Sequence, residues 1–132
     1  MPALQRVFYI SRVADPGQPP DMKRILGRSR MSNRRLDITG MLAHSGRHFA
    51  QVLEGPTADV DALVEKVAAD PRHIDFKVIF RKPIEHRAYG EWEMGYIEGF
   101  GASEHIEALI DMPAFDAAAA ERFAVKLFAP TF

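Results

Sequence analysis

The chain has 132 residues, with seventeen Lys and Arg against eighteen Asp and Glu, a formal net charge of −1 and no cysteine. That length fits one domain able to bury its own core; the missing thiols exclude disulfides and thiolate metal sites, and the balanced charge argues against a nucleic-acid binder held by phosphate contacts. No apolar run approaches the roughly 20 residues of a membrane span and no signal-peptide pattern opens the chain, so the expectation is a cytoplasmic protein without membrane association.

Leu4–Ser11 is predicted to form a first strand, because Val7, Phe8, Tyr9 and Ile10 supply the β-branched and aromatic side chains that pleated sheets favour. The stretch Asp15–Pro20, DPGQPP, ends it. Asp21 or a neighbour caps a helix running to about Ser32, with Met22, Ile25, Leu26 and Ser29 on one face. Its other face is basic, through Lys23, Arg24, Arg28 and Arg30, followed by Arg34 and Arg35. This basic run reads either as a solvated face or as an electrostatic seat for a phosphate-bearing ligand.

Ile38–Gly55 reads as a β-hairpin turning at Ser45, Gly46 and Arg47, and it carries one glutamine, Gln51, in an otherwise apolar strand. An amide left unpaired in an apolar interior costs about 1–3 kcal/mol. Gln51 therefore either faces a polar partner or points to solvent from a half-exposed strand. Gly55 and Pro56 end the hairpin, and Thr57 is a good N-cap for a helix from about Ala58 to Ala69, in which Val60, Leu63, Val64 and Val67 form an apolar stripe expected to be core. Asp70 and Pro71 stop that helix. A fourth strand is expected over Asp75–Lys82 and a shorter fifth around Trp92–Ile97. From Ala102 onward, helix candidates Ser103–Asp111 and Phe115–Leu127 flank Pro113, and Phe123, Val125, Leu127 and Phe128 imply that this tail packs on the uncovered sheet face.

Strand, helix, strand, strand, helix, strand is the order of the split βαβ arrangement. The predicted fold is α+β: a ferredoxin-like βαββαβ core with a fifth strand, two helices on one sheet face and a C-terminal helical pair on the other. No repeat or linker divides the chain. His44, His48, His73, His86 and His105 form no convincing metal set, and Glu91 and Glu93 resemble solvent-facing strand positions more than an acid/base pair. Taken singly, Tyr9 reads as a strand aromatic, Asn33 as the cap of its helix, and Trp92 and Met94 as core.

Taken together, Tyr9 with Ser11 two positions on, Asn33 just before Ile38-Thr39-Gly40, and Gln51 within HFAQVLEG make the chain resemble the BLUF domain family of flavin-binding blue-light sensors. ADPRH at Ala69–His73 and GEWEMG at Gly90–Gly95 agree, and the resemblance covers roughly residues 4–98. It implies FAD bound noncovalently, with the ring between the two helices that pack on the sheet. Ile25 would line one side of the ring, Asn33 would bond its polar edge, and Gln51 would sit between the flavin and the Tyr9 hydroxyl. Arg72 and His73 would contact the ribityl or phosphate portion, Ser11 would be a supporting partner, and Met94 would adjoin the cofactor.

The residue types suit such a ligand, since a flat apolar body with a polar rim needs a mostly aliphatic site with a few convergent amides. The resemblance further implies a photoreceptor without catalytic output: Tyr9 gives an electron and a proton to the excited flavin, the transfer reverses, and the Gln51 amide is left rotated or tautomerised. Residues 1–100 would be the flavin domain and 101–132 a two-helix extension packed on the sheet. The chain would be a short stand-alone member that signals to a separate downstream protein and forms a homo-oligomer. Moving an equilibrium from 1:99 to 99:1 takes about 5.5 kcal/mol, whereas one hydrogen bond contributes about 0.5–1.5, so a relay through Trp92 and Met94 on the fifth strand to the tail helices is expected. Ser32, His44 and Ala50 depart from residues common in the family and bear on photocycle kinetics rather than flavin binding.

Two other readings compete. One is a ferredoxin-like enzyme of acylphosphatase or cofactor-free oxygenase type, with Arg12 and Asn33 binding an anion, although no phosphate-cradling glycine loop follows the first strand. The other is a flavin-free regulatory module, against which the intact Tyr9, Asn33 and Gln51 argue.

Overall fold

The computed structural model describes residues 3–18, 20–98, 103–114 and 116–128. The elements follow as β1 (Leu4–Val13), α1 (Met22–Leu36), β2 (Thr39–His44), β3 (His48–Pro56), α2 (Thr57–Ala68), β4 (His73–Ile84), β5 (Gly95–Glu98), α3 (Ser103–Asp111) and α4 (Ala117–Leu127). The sheet order is β4-β1-β3-β2-β5. Strand β1 runs antiparallel to β3 and β4, β2 and β3 form the hairpin, and β5 joins β2 in parallel. This is the ferredoxin-like α+β arrangement with its added strand.

Period-two alternation along β1 and β3 builds two cores. Val7, Tyr9, Val13 and Leu53 face α1 and α2, where they meet Leu26, Val60 and Val64. Phe8, Ile10, Ala50 and Val52 face the C-terminal helical pair, where they meet Ile106, Leu109, Ala120, Ala124 and Phe128. Val125 is exposed, so the apolar stripe of the tail is narrower than its composition indicates. No helix among the described residues is long and apolar enough to cross a membrane.

Several element boundaries differ from expectation for identifiable reasons. Helix α1 continues past Ser32 to Leu36 and stops at Asp37, whose left-handed backbone (φ 57°) sends its N–H to the Asn33 carbonyl. Asn33 therefore lies in the last turn and does not cap the helix. Thr57 is the first residue of α2 and not its cap; Pro56 takes that position, and the Thr57 hydroxyl and N–H both turn to the Ala3 carbonyl. Strand β4 begins at His73 because the positive φ at Asp75 (54°) accompanies a register shift that lets His73 and Ile74 pair with Val13 and Arg12. Strand β5 begins only at Gly95, so Trp92 and Met94 lie in the connection before it. Trp92 is 37% exposed rather than core. Asp116 caps α4, accepting from the Ala118 N–H. Pro19, Ala102, Phe115 and the boundary at 100–101 lie outside the described residues.

A polar cluster ties α3 to the sheet. Arg12 and His48 pair across β1 and β3, and both reach Glu107, at 2.5 and 2.6 Å; Asp75 and Asp111 also contact the Arg12 guanidinium. The Arg12 hydrogen bond, then that of His48, hold the Glu107 carboxyl down at about 2, against an ordinary 4.5. Because the folded value is the lower one, the stabilisation is present above about pH 4.5 and lost as pH falls from about 4.5 to about 2. Glu107 is 43% exposed, so screening keeps the effect small. Hydrogen exchange during acid titration should show α3 losing protection before the sheet within that window, and Glu107→Gln should lack the step.

Candidate functional site

Tyr9 lies opposite Gln51 in the register of the two central strands, and alternation puts both on the face covered by α1 and α2. Gln51 is 6% exposed, so the solvent-facing alternative does not hold. The Tyr9 hydroxyl donates to Gln51 Oε1, and Gln51 Nε2 donates to the Met94 sulfur at 3.2 Å. A thioether is a weak acceptor. The amide is thus held firmly on the phenol side and loosely on the other. The Tyr9 ring packs on Phe76 with centroids 4.8 Å apart. Burial pushes the phenol well above its usual range, and the Asp70 charge adds to this, so Tyr9 stays a protonated donor.

Asn33, on the last turn of α1, is 1% exposed, and its Nδ2 donates to the Glu93 carbonyl at 2.6 Å. Arg30 donates to the Met94 carbonyl at 3.0 Å, and Arg34 pairs with the Glu93 carboxylate. The Gly40 N–H on β2 bonds the Trp92 carbonyl at 3.0 Å. The segment 92–94 is therefore tied to α1 and β2 on both sides. Trp92 and Met94, paired as relay residues by sequence, part company: Met94 is buried against Gln51, while Trp92 reaches the surface.

At the end of α2, His73 Nε2 lies 2.6 Å from the Val67 carbonyl and Nδ1 lies 2.8 Å from the Ser11 hydroxyl. The carbonyl can only accept, so Nε2 carries a proton, and in the neutral ring Nδ1 then accepts from the Ser11 hydroxyl. Ser11 thus orients His73 from beneath. Arg72 folds back on Asp70, bonding its carboxylate through Nε at 3.0 Å. That hydrogen bond holds the Asp70 carboxyl below the usual carboxylate range.

Between α1 and α2 these residues open onto one cleft. Tyr9, Ile25, Gln51, Arg72 and His73 line a part of about 90 Å³. Asn33 and Met94 line its continuation of about 210 Å³, which shares Ile25, Ser29, Gln51, Val67, Asp70 and Arg72 with the first part. The walls are aliphatic and aromatic, through Ile25, Leu42, Phe49, Leu63 and Val67, and Arg28, Lys66 and Arg72 stand along the cleft. The arrangement suits a flat apolar ligand with a polar edge and an anionic extension. A flavin has that chemistry.

Sequence reasoning missed part of this lining. The α2 stripe divides: Val60 and Val64 are core, whereas Leu63 and Val67 turn into the cleft. The i, i+4 spacing of Leu63 with Val67 is shared by the core pair Val60 and Val64, so spacing alone gave no signal for the cleft. The basic run on α1 divides as well, since Arg28 lines the cleft while Arg30 and Arg34 hold residues 93 and 94. His44 packs tilted against Phe49 with centroids 5.0 Å apart, and burial pushes its ring toward the neutral form.

A family model for BLUF, sensors of blue-light using FAD, matches residues 4–95. The chain is similar to photoactivated adenylate cyclase subunit beta of Euglena longa, at 32% identity over 113 residues, which are 84% of this chain and 12% of that protein. Against photoactivated adenylate cyclase subunit alpha of Euglena gracilis the identity is 32% over 116 residues, 84% of this chain and 10% of that protein. The chain spans about a tenth of the length of these curated relatives. Among solved structures, the dark state of BlrB, a BLUF protein, is 34% identical with a TM-score of 0.73, covering 95% of this chain and 96% of that one. Klebsiella pneumoniae BlrP1 with FMN and cyclic diGMP is 30% identical with a TM-score of 0.71, covering 92% of this chain and 34% of that one.

Proposed function

The chain belongs to the BLUF family of blue-light sensors, and on that footing we propose that it binds FAD noncovalently between α1 and α2 and uses Tyr9 and Gln51 as its light switch. The observation that carries the reading is the hydrogen bond from the buried Tyr9 hydroxyl to Gln51 Oε1 at the floor of the cleft. Ile25 and Val67 flank the ring from the two helices, Asn33 serves its polar edge, and Arg72 and His73 serve the ribityl and phosphate portion, with Ser11 orienting His73. Arg28 and Lys66 add positive charge for a diphosphate, which favours FAD over FMN.

When bound, the flavin supplies absorption of blue light and, once excited, an acceptor for an electron and a proton. Tyr9 holds its proton toward Gln51 Oε1; one electron and one proton leave the phenol and return, so Tyr9 ends unchanged. During that excursion the Gln51 amide is free to exchange its donor and acceptor sides, by rotation or tautomerisation. Rotation withdraws the N–H donor from Met94. The segment holding Trp92 and Met94 then biases the packing of the tail helices, with residues 1–100 acting as the flavin domain and 101–132 as its extension. A separate downstream protein reads that change from a cytoplasmic homo-oligomer, and the domain itself turns over no substrate. The cyclases among the relatives support an output of this kind by analogy.

The test is direct. The purified protein should be yellow, and blue light should shift its flavin absorption to the red, with recovery in the dark. Chromatography of the released flavin should give FAD, not FMN. A colourless protein that cannot be loaded with FAD would defeat the proposal in favour of an enzyme or a flavin-free module; yellow without the shift would leave flavin binding and remove the switch. Unchanged hydrogen exchange over residues 103–128 on illumination would remove the tail relay.

A further inference from the structure

Glu54 is a carboxylate with no exposed surface, on β3 three residues beyond Gln51 and facing the opposite core. Its Oε1 accepts from the Tyr89 N–H at 2.6 Å and its Oε2 from the Ala88 N–H at 3.0 Å, while Arg6 on β1 pairs with Oε2 at 2.8 Å. Hydrogen bonds to an ionised acceptor are about twice as strong as neutral ones. A carboxylate held by two backbone amides of a connection, rather than by side chains alone, fixes the path of that connection. From there the path runs directly to the switch. The Trp92 N–H bonds the Tyr89 carbonyl, the Trp92 carbonyl takes the Gly40 N–H, and two residues later the Met94 sulfur meets Gln51 Nε2.

We propose that Glu54 is a positioning residue for the light switch, pinning the turn at Ala88 and Tyr89 and thereby holding Met94 against the Gln51 amide. This rests on the Tyr9 and Gln51 reading above and extends it to a group on the far side of the sheet. Glu54 lines neither part of the cleft; its link to the switch runs through the backbone of residues 88–94. A carboxylate suits the position because both oxygens accept, whereas a glutamine presents an N–H₂ where one backbone N–H already points.

The test compares Glu54→Gln, Met94→Leu and the double variant for flavin stoichiometry, red shift and dark-recovery rate. Glu54→Gln should keep flavin and the red shift but change the recovery rate by about two- to thirty-fold, the range that coupling residues confer. In the Met94→Leu background the same substitution should change recovery no further, because the residue through which it acts is gone. Glu85→Gln, an exposed carboxylate in the same connection, should recover like the unaltered protein. If Glu54→Gln does not fold, Glu54→Asp, which keeps the charge but withdraws it by one methylene, is read in the same way. A folded, flavin-loaded Glu54 variant recovering at the unaltered rate overturns the proposal, as does an effect that adds in full to that of Met94→Leu. An unaltered protein that binds flavin without any red shift would instead defeat the switch itself, and with it this role.

Discussion

Replacing Gln51 by Leu is expected to abolish the blue-light red shift completely while flavin stays bound at the stoichiometry of the unaltered protein. The reason lies in how the cleft divides its work. Its aliphatic walls, among them Ile25, Leu42 and Val67, remove apolar surface from water whether or not residue 51 is polar. A leucine fills nearly the same volume as the glutamine but has no donor and acceptor to exchange. The substitution also orphans the buried Tyr9 hydroxyl, at a cost of about 1–3 kcal/mol in stability. Tyr9→Phe should give the same spectroscopic result by the other route, leaving the amide in place without its proton donor. Light-minus-dark difference spectra of the two variants decide the matter. A red shift surviving in either would remove that residue from the switch.

Phe8→Ala is expected to lower stability by about 3–5 kcal/mol, the range for truncating a buried aromatic. Phe8 has no exposed surface and sits on the central strand, next in sequence to Tyr9 but on the opposite face. Its ring meets Phe80, Phe123 and Phe128 at centroid separations of 5.8, 6.3 and 6.1 Å. Two of those partners belong to the end of the chain, so the cavity opens where α4 meets the sheet. In urea titration the midpoint should fall with the slope unchanged if the variant keeps a two-state transition. Flavin affinity should change little, because Phe8 and the cleft lie on opposite sides of β1. A loss below about 1 kcal/mol would mean that α4 collapses into the space and that its docking is adaptable.

Legibility from sequence followed the range of the interactions concerned. The strand at Val7–Ile10 and the amphipathic faces of both early helices were readable because periods of 2 and 3.6 are set by local backbone geometry. Thr57 has the residue type of a cap, but its hydroxyl finds the Ala3 carbonyl, a partner far away in sequence. The start of β4 is not legible locally, because the register shift near Asp75 answers to pairing with β1, not to local propensity. In the site, Gln51 stood out as a polar group in an apolar strand, whereas Tyr9 and Asn33 were legible only through the joint pattern that carries the family resemblance. Leu63, Val67, Leu42 and Phe49 did not stand out, since an aliphatic or aromatic side chain facing a cleft has the same local pattern as one facing the core. Glu54 gave no signal either, as nothing near it in sequence shows that its partners are the amides of residues 88 and 89.

The sequence by itself determined the element order and the α+β class, because those depend on which side chains occur and on their local spacing, and its resemblance to known sequences carried the family. Tertiary structure supplied the hydrogen bond between Tyr9 and Gln51, 42 positions apart, where the resemblance implied a pairing, and alone decided that Met94 closes the other side of the amide and that Trp92 does not. Those contacts depend on the register between β1 and β3 and on where a loop is pinned across the sheet. No local pattern encodes a register, because every residue on one face of a strand satisfies the same alternation until the partner strand selects among them.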